Sequence, residues 1–107
     1  MTFDEVRAVG LTLSQVTDGT SYGTPALKVK GKLLVRLRED IDAIVLPMPF
    51  DRRDELIAED PDTYFITDHY APYEYVLAHL ARLNAAQVRD LLGVAYRLVT
   101  KPRNVTA

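Results

Sequence analysis

From Leu27 to Arg38 the chain alternates: Leu27, Val29, Leu33, Val35 and Leu37 are apolar, whereas Lys28, Lys30, Lys32, Arg36 and Arg38 are cationic. A period of two on either side of a turn containing Gly31 predicts a β-hairpin with one apolar and one basic face. Leu34 breaks strict alternation and marks a candidate bulge. Ile41 to Leu46 is β-branched and apolar enough for a further strand. Pro47 and Pro49 end it, because proline cannot donate to a strand ladder.

Helical spacing appears at both ends of the chain. Thr2-Phe3-Asp4-Glu5 has the form of a capping box, and Phe3, Val6 and Val9 give the first helix a partial apolar stripe. Gly10 is its expected stop, since glycine tolerates positive φ. Asn84 is the expected cap of the last helix, with Leu83 and Val88 as a hydrophobic staple. Val88, Leu91, Leu92, Ala95, Leu98 and Val99 then recur at helical spacing as far as Pro102. After Lys101 the tail is predicted to fray.

Between these ends, Asp51 is expected to cap a short helix over Arg52 to Glu59 with Leu56 and Ile57 inward, stopped by Asp60-Pro61. Thr63 to Ile66 and Tyr73 to Leu80 are aromatic and β-branched runs that suit an antiparallel pair, joined by a loop over Asp68 to Pro72. Neither face of the second run is purely polar, so alternation does not assign its buried side. Ser14 to Thr24, polar and holding Gly19 and Gly23, reads as a loop.

This order of elements predicts an α+β fold over residues 1–107 as one domain. It is a two-layer α/β sandwich, with an antiparallel sheet, the N- and C-terminal helices on one face, and the other face open. Composition is compatible: 107 residues, 48% hydrophobic and 26% charged, are enough for one core. The absence of cysteine excludes disulfides, thiolate metal sites and cysteine nucleophiles, and makes the cytoplasm the expected compartment. Acids in the first residues and the lack of a long apolar run predict neither a signal peptide nor a membrane span. A net charge of −2 and a pI of about 5.6 restrict any nucleic-acid site to a local patch.

The run from Asp60-Pro61 through Thr67-Asp68-His69-Tyr70 to Leu77, read with Tyr22-Gly23-Thr24-Pro25 and Val29-Lys30-Gly31-Lys32, resembles the MmcQ/YjbR group of small bacterial proteins. The resemblance extends from about Asp4 to about Lys101. Two departures from many relatives stand out: tyrosine at Tyr75 and Tyr96 where tryptophan is common, and Asp68 in place of a proline before the histidine. The resemblance implies a frataxin-like fold and DNA binding, the activity by which the group is generally described on grounds of fold analogy.

Candidate chemistry falls into two clusters. The hairpin cations Lys28, Lys30, Lys32, Arg36 and Arg38 can contact phosphate oxygens, or they can serve as a solvated face that protects a sheet edge. The acids at Asp51, Asp54, Glu55, Glu59, Asp60 and Asp62 are segregated from them in sequence. Tyr64, His69, Tyr70, Tyr73 and Tyr75 form the second cluster, a surface for a protein partner or small ligand. His69 is read as structural, because Asp68 points the opposite way in an extended chain, and His79 as a strand residue. The run Asp51 to Glu55 is read as a solvated helix start in which Arg52 or Arg53 forms weak local ion pairs.

No catalytic residue, metal site or cofactor is assigned. Two histidines without metal spacing do not suggest zinc, and frataxin-type iron binding would need more acids on the first helix than Asp4 and Glu5. Nucleophile and phosphate-loop motifs are absent. The functions that remain are weak non-specific DNA binding by the hairpin, a protein-interaction or small-ligand module at the tyrosines, and an enzyme using His69. The chain is expected to be monomeric, with no membrane partner.

Overall fold

Two residue pairs with positive φ shape the first half of the sheet. Tyr22-Gly23 (φ 52° and 76°) and Lys30-Gly31 (φ 52° and 77°) each occupy the centre of a two-residue hairpin turn. Left-handed conformations at both positions match the right-handed twist of the flanking strands. In the computed structural model, which describes residues 1–101, these turns connect β1 (Val16–Ser21), β2 (Thr24–Val29) and β3 (Lys32–Arg38). A 3-10 turn at Glu39–Ile41, closed by Asp42 at φ 49°, leads into β4 (Ala43–Pro47). With β5 (Tyr64–Phe65) and β6 (Tyr75–His79) the strands form a six-stranded sheet of order β1-β2-β3-β4-β6-β5. Every neighbouring pair is antiparallel.

The helices are α1 (Phe3–Gly10), α2 (Phe50–Glu59) and α3 (Ala85–Thr100). Thr2 and Glu5 close the expected capping box on α1, and Asn84 with Gln87 closes a second on α3. α3 lies against β2, β3 and β4 and also packs on α1. Its buried residues are Val88, Leu91, Leu92 and Ala95, four of those in the expected stripe. They meet Leu27, Val29, Leu34, Val35, Ile44, Leu46, Val76 and Ala78 in one core. Register thus assigns the faces of β6: Val76 and Ala78 point to the helices, and Tyr75, Leu77 and His79 to the opposite side.

Four local expectations need correction. Ser14 to Thr24 is no loop, because β1 occupies most of it. β1 is an edge strand with largely exposed side chains, so its stability comes from backbone pairing with β2 and leaves no apolar alternation to detect. In the hairpin, the register shifts at Leu27/Lys28 and Leu34 is the extra residue. Leu34 and Val35 are therefore both fully buried, while Leu33 pairs with Lys28 on the opposite face.

Gly10 is helical without positive φ. Its role is close approach, since a Cβ there would come within 2.3 Å of Leu27 Cδ1. Lastly, α2 begins at Phe50, with Pro49 at the cap position and Asp51 in the first turn. The frayed tail expected after Lys101 lies outside the described residues. Among the described residues no helix is long and apolar enough to cross a membrane.

Leu91, only 4% exposed, joins α3 to the core. Leu91→Ala is expected to cost about 2–5 kcal/mol by chemical denaturation, and a loss well under 1 kcal/mol would show that α3 is not seated as described. Gly10→Ala is expected to destabilise by about 1–3 kcal/mol despite the better helix propensity of alanine, because the fully buried Leu27 must shift within the core to admit the added Cβ.

Candidate functional site

The face of the sheet opposite α3 is covered on one half only. Val45 and Leu77 point to that side and are fully buried, yet they do not belong to the helix-side core. The 66–74 segment, a loop without strand or helix, lies on their side of the sheet. Its Tyr70 accepts a hydrogen bond from Arg36 Nη1 at 2.8 Å and meets the Tyr75 ring edge-on at 5.7 Å. Arg36 is on β3 and Tyr75 on β6, the two strands flanking β4, so the Tyr70 ring spans β4. The expectation of an open second face therefore holds only for the β1–β3 half.

Arg53 holds this loop. Its guanidinium donates from Nη1 to the Ala71 carbonyl at 3.1 Å and to the Tyr73 carbonyl at 3.0 Å, and it lies 4.8 Å from the Phe50 ring centre. Arg53 is 8% exposed and so is not a solvated side chain, although the expected local pairs form, Arg53 with Asp54 at 3.3 Å and Arg52 with Glu55 at 3.9 Å. A buried guanidinium is retained where several acceptors replace its water, and two loop carbonyls with Asp54 do so here. Glu74 adds a second tether: its carbonyl accepts from Met48 N–H at 2.9 Å, and its carboxylate lies 3.4 Å from the Phe50 amide at the start of α2. Arg53 was legible in principle, since it lies three residues before buried Leu56 on one helix face.

The hairpin cations do not share one face. Register puts Lys28, Arg36 and Arg38 on the half-open side, Lys32 opposite Val29, and Lys30 in the turn. The bulge at Leu34 is what breaks the alternation. Arg38 binds Asp40 through Nε (3.0 Å) and Nη2 (2.7 Å), a pairing that holds the Asp40 carboxyl below the usual carboxylate range. Among the described residues Lys28, Lys30, Lys32 and Arg36 form no ion pair with a carboxylate.

The tyrosine cluster also divides. Tyr64 is buried on the helix side, where burial and then the charge of Asp60 push its phenol pKa up. It lines a depression of about 240 Å³ between α2 and α3 whose rim carries Glu59, Asp60 and Asp90 beside Arg52, a charge balance unsuited to an anion. Tyr73 is exposed next to Arg53. Tyr70 and Tyr75 are neighbours on the other side, where burial and then Tyr70 raise the Tyr75 phenol.

Tyr70 and His69, in edge-to-face contact at 4.8 Å, join Tyr22, Arg36 and Arg38 around a second depression of about 350 Å³. The fold thus unites part of each predicted cluster, together with Tyr22, which the sequence had placed in a loop and in no candidate site. Its ring lies 5.2 Å from Arg36 Cζ. Among the described residues no hydrogen bond joins the His69 ring to another group, and no cluster of three metal-ligating side chains occurs. His79 is stacked on Phe65 at 4.4 Å.

A six-stranded antiparallel sheet with helices on one face and a loop-bounded basic depression on the other defines an α+β protein whose candidate site lies on the sheet. The YjbR family model matches residues 11–98, and the chain belongs to that family. A crystal structure of Deinococcus radiodurans protein DR2400, assigned to family-model domain DUF419, is similar with a TM-score of 0.80 and 23% identity. The match covers 94% of this chain and 79% of that one. A comparison with curated proteins finds no match.

Replacing Arg53 by methionine retains length and removes the donors. Arg53→Met is expected to destabilise by about 2–4 kcal/mol, since two carbonyls lose charged donors. Amide exchange at Tyr70, Ala71 and Tyr73 should accelerate more than in β2 and β3. Unchanged exchange in the loop would assign its anchoring to other contacts.

Proposed function

We propose that this chain is a binding module for the phosphate backbone of nucleic acid, acting through Lys28, Lys30, Lys32 and Arg36 with little sequence preference. One observation carries the reading: these cations cluster on the β2–β3 hairpin without carboxylate partners among the described residues, in a chain whose net charge is −2. Cations left unneutralised on one projecting hairpin create a local positive field that the overall acidity does not cancel. Lys28 and Arg36 border the half of the sheet face that the 66–74 loop leaves open, Lys30 in the turn lies at the end of that surface, and Lys32 stands beside Val29 on the other side of the hairpin. Phosphate contacts of this kind position a strand without reading its bases.

The cytoplasmic location expected from composition accords with such a role. A frataxin-like arrangement is the fold reading we attach to it, supported by an antiparallel sheet with α1 and α3 on one face. A second reading, a protein-interaction surface, is favoured by the exposed Phe50, whose ring lies on the Arg53 guanidinium, and by the exposed Tyr73, whose backbone carbonyl that guanidinium holds. A held aromatic ring such as Phe50 supplies contact area at low entropic cost.

Duplex binding measured as a function of salt separates the two. With four cations engaged, log affinity is expected to fall against log salt with a slope of about −3 to −4. The Lys28→Gln, Lys30→Gln, Lys32→Gln triple variant should flatten that slope by about 2–3 units and keep its stability, because exposed charges contribute little to it. No binding at low salt, or an unchanged slope in the variant, would leave the interaction surface as the better reading.

A further inference from the structure

The depression lined by Tyr22, Arg36, Arg38, His69 and Tyr70, about 350 Å³ in volume, has a wall chemistry distinct from the lysines of the hairpin. No carboxylate lines it, although Asp40 reaches Arg38 from outside. Arg36 uses Nη1 on Tyr70 and Nε on Thr24. Arg38 uses Nε and Nη2 on Asp40. Arg36 therefore retains Nη2 without a hydrogen-bond partner among the described residues, while the Arg38 guanidinium stands between the Asp40 carboxylate and the Tyr70 hydroxyl. The Arg36 geometry is held from two sides, since Thr24 Oγ1 is itself bonded to the Ser21 carbonyl at 2.9 Å. Guanidinium groups positioned in this way suit the oxygens of a phosphate.

Tyr22 is the second, independent observation. It is 90% exposed and has φ 52°, in the left-handed region that disfavours side chains other than Asn, Asp and Gly. Neither core packing nor the turn needs a tyrosine here, and asparagine would serve the turn better. What the tyrosine adds is a flat ring at the mouth of the depression, 5.2 Å from the Arg36 guanidinium carbon. Lys30 has the same φ in the other turn, so what sets Tyr22 apart is its exposed ring beside Arg36. A stacking ring beside held guanidinium groups matches a phosphomonoester attached to a planar heterocycle.

We infer that this depression is a binding site for a nucleoside monophosphate, with the phosphate taken by Arg36, Arg38 and the His69 imidazole and the base stacked on Tyr22. The site needs none of Lys28, Lys30 and Lys32, so it goes beyond backbone binding by the hairpin and fails or stands separately from it.

The test is a titration of the 15N-labelled protein at low salt with adenosine monophosphate, inorganic phosphate and adenosine. Adenosine monophosphate is expected to shift the amides of Tyr22, Arg36, His69 and Tyr70 and to bind more tightly than either fragment. Tyr22→Asn should weaken it about tenfold, the loss of one stacking contact, while the melting temperature holds or rises because asparagine fits the turn. The triple lysine variant should bind it as the parent does. Absence of shifts at about 10 mM ligand, a concentration that would detect millimolar binding, would overturn the inference. So would equal affinity for inorganic phosphate, which indicates a simple anion site, or undiminished binding by Tyr22→Asn.

Discussion

The buried guanidinium of Arg53 is the interaction on which the sheet's second face depends. A parallel-type sheet is covered by helices on both sides, but here all three helices leave β4 and β6 without a helical neighbour on one side. A loop has to exclude the water instead, and its internal turns satisfy the carbonyls of Thr67, Tyr70 and Tyr73 but give Ala71 no backbone donor. Arg53 on α2 supplies the donor for Ala71 and adds a second, charged one to the Tyr73 carbonyl, which also accepts from Tyr75 N–H. The Arg36–Tyr70 bond secures the middle of the loop to β3. With the loop in place, Val45 and Leu77 are as fully buried as the residues under α3.

Covering one half of a face creates an edge, and the candidate chemistry lies along it. Tyr70 faces β4 and β6 on one side and Arg36 on the other, so the same contact that closes the core also orients a guanidinium toward the open half. Arg36 is thereby held by two neutral oxygens, from Tyr70 and Thr24, and retains its charge for an incoming anion. Arg38, one pleat along, is instead occupied by Asp40. The difference between two arginines of one strand comes from what the neighbouring turn and loop bring to each.

The elements with a strong period were legible. α3 follows from its apolar recurrence and from Asn84, and β2 and β3 follow from alternation around Lys30-Gly31. β1 was not, because an edge strand with polar side chains on both faces carries no hydrophobic signal and is held by its backbone pairing. The site was only half legible. Arg36, Arg38, His69 and Tyr70 were named, but in separate clusters, since nothing local relates a β3 residue to one more than 30 positions on. The bulge at Leu34 was visible as an irregularity, whereas its effect of turning Leu33 outward and separating Lys32 from Lys28 required the register.

The sequence by itself determined the class of fold, the caps of α1 and α3, the glycine-containing turns and the family resemblance, because these depend on residues close together in the chain and on simple periodicity. Tertiary structure decided which side of β6 faces the helices, that Arg53 is buried and not a solvated charge, that Gly10 is needed to admit Leu27, and that Tyr22 meets Arg36. Each of these rests on contacts between distant segments whose partners become definite only once the sheet order and register bring them together.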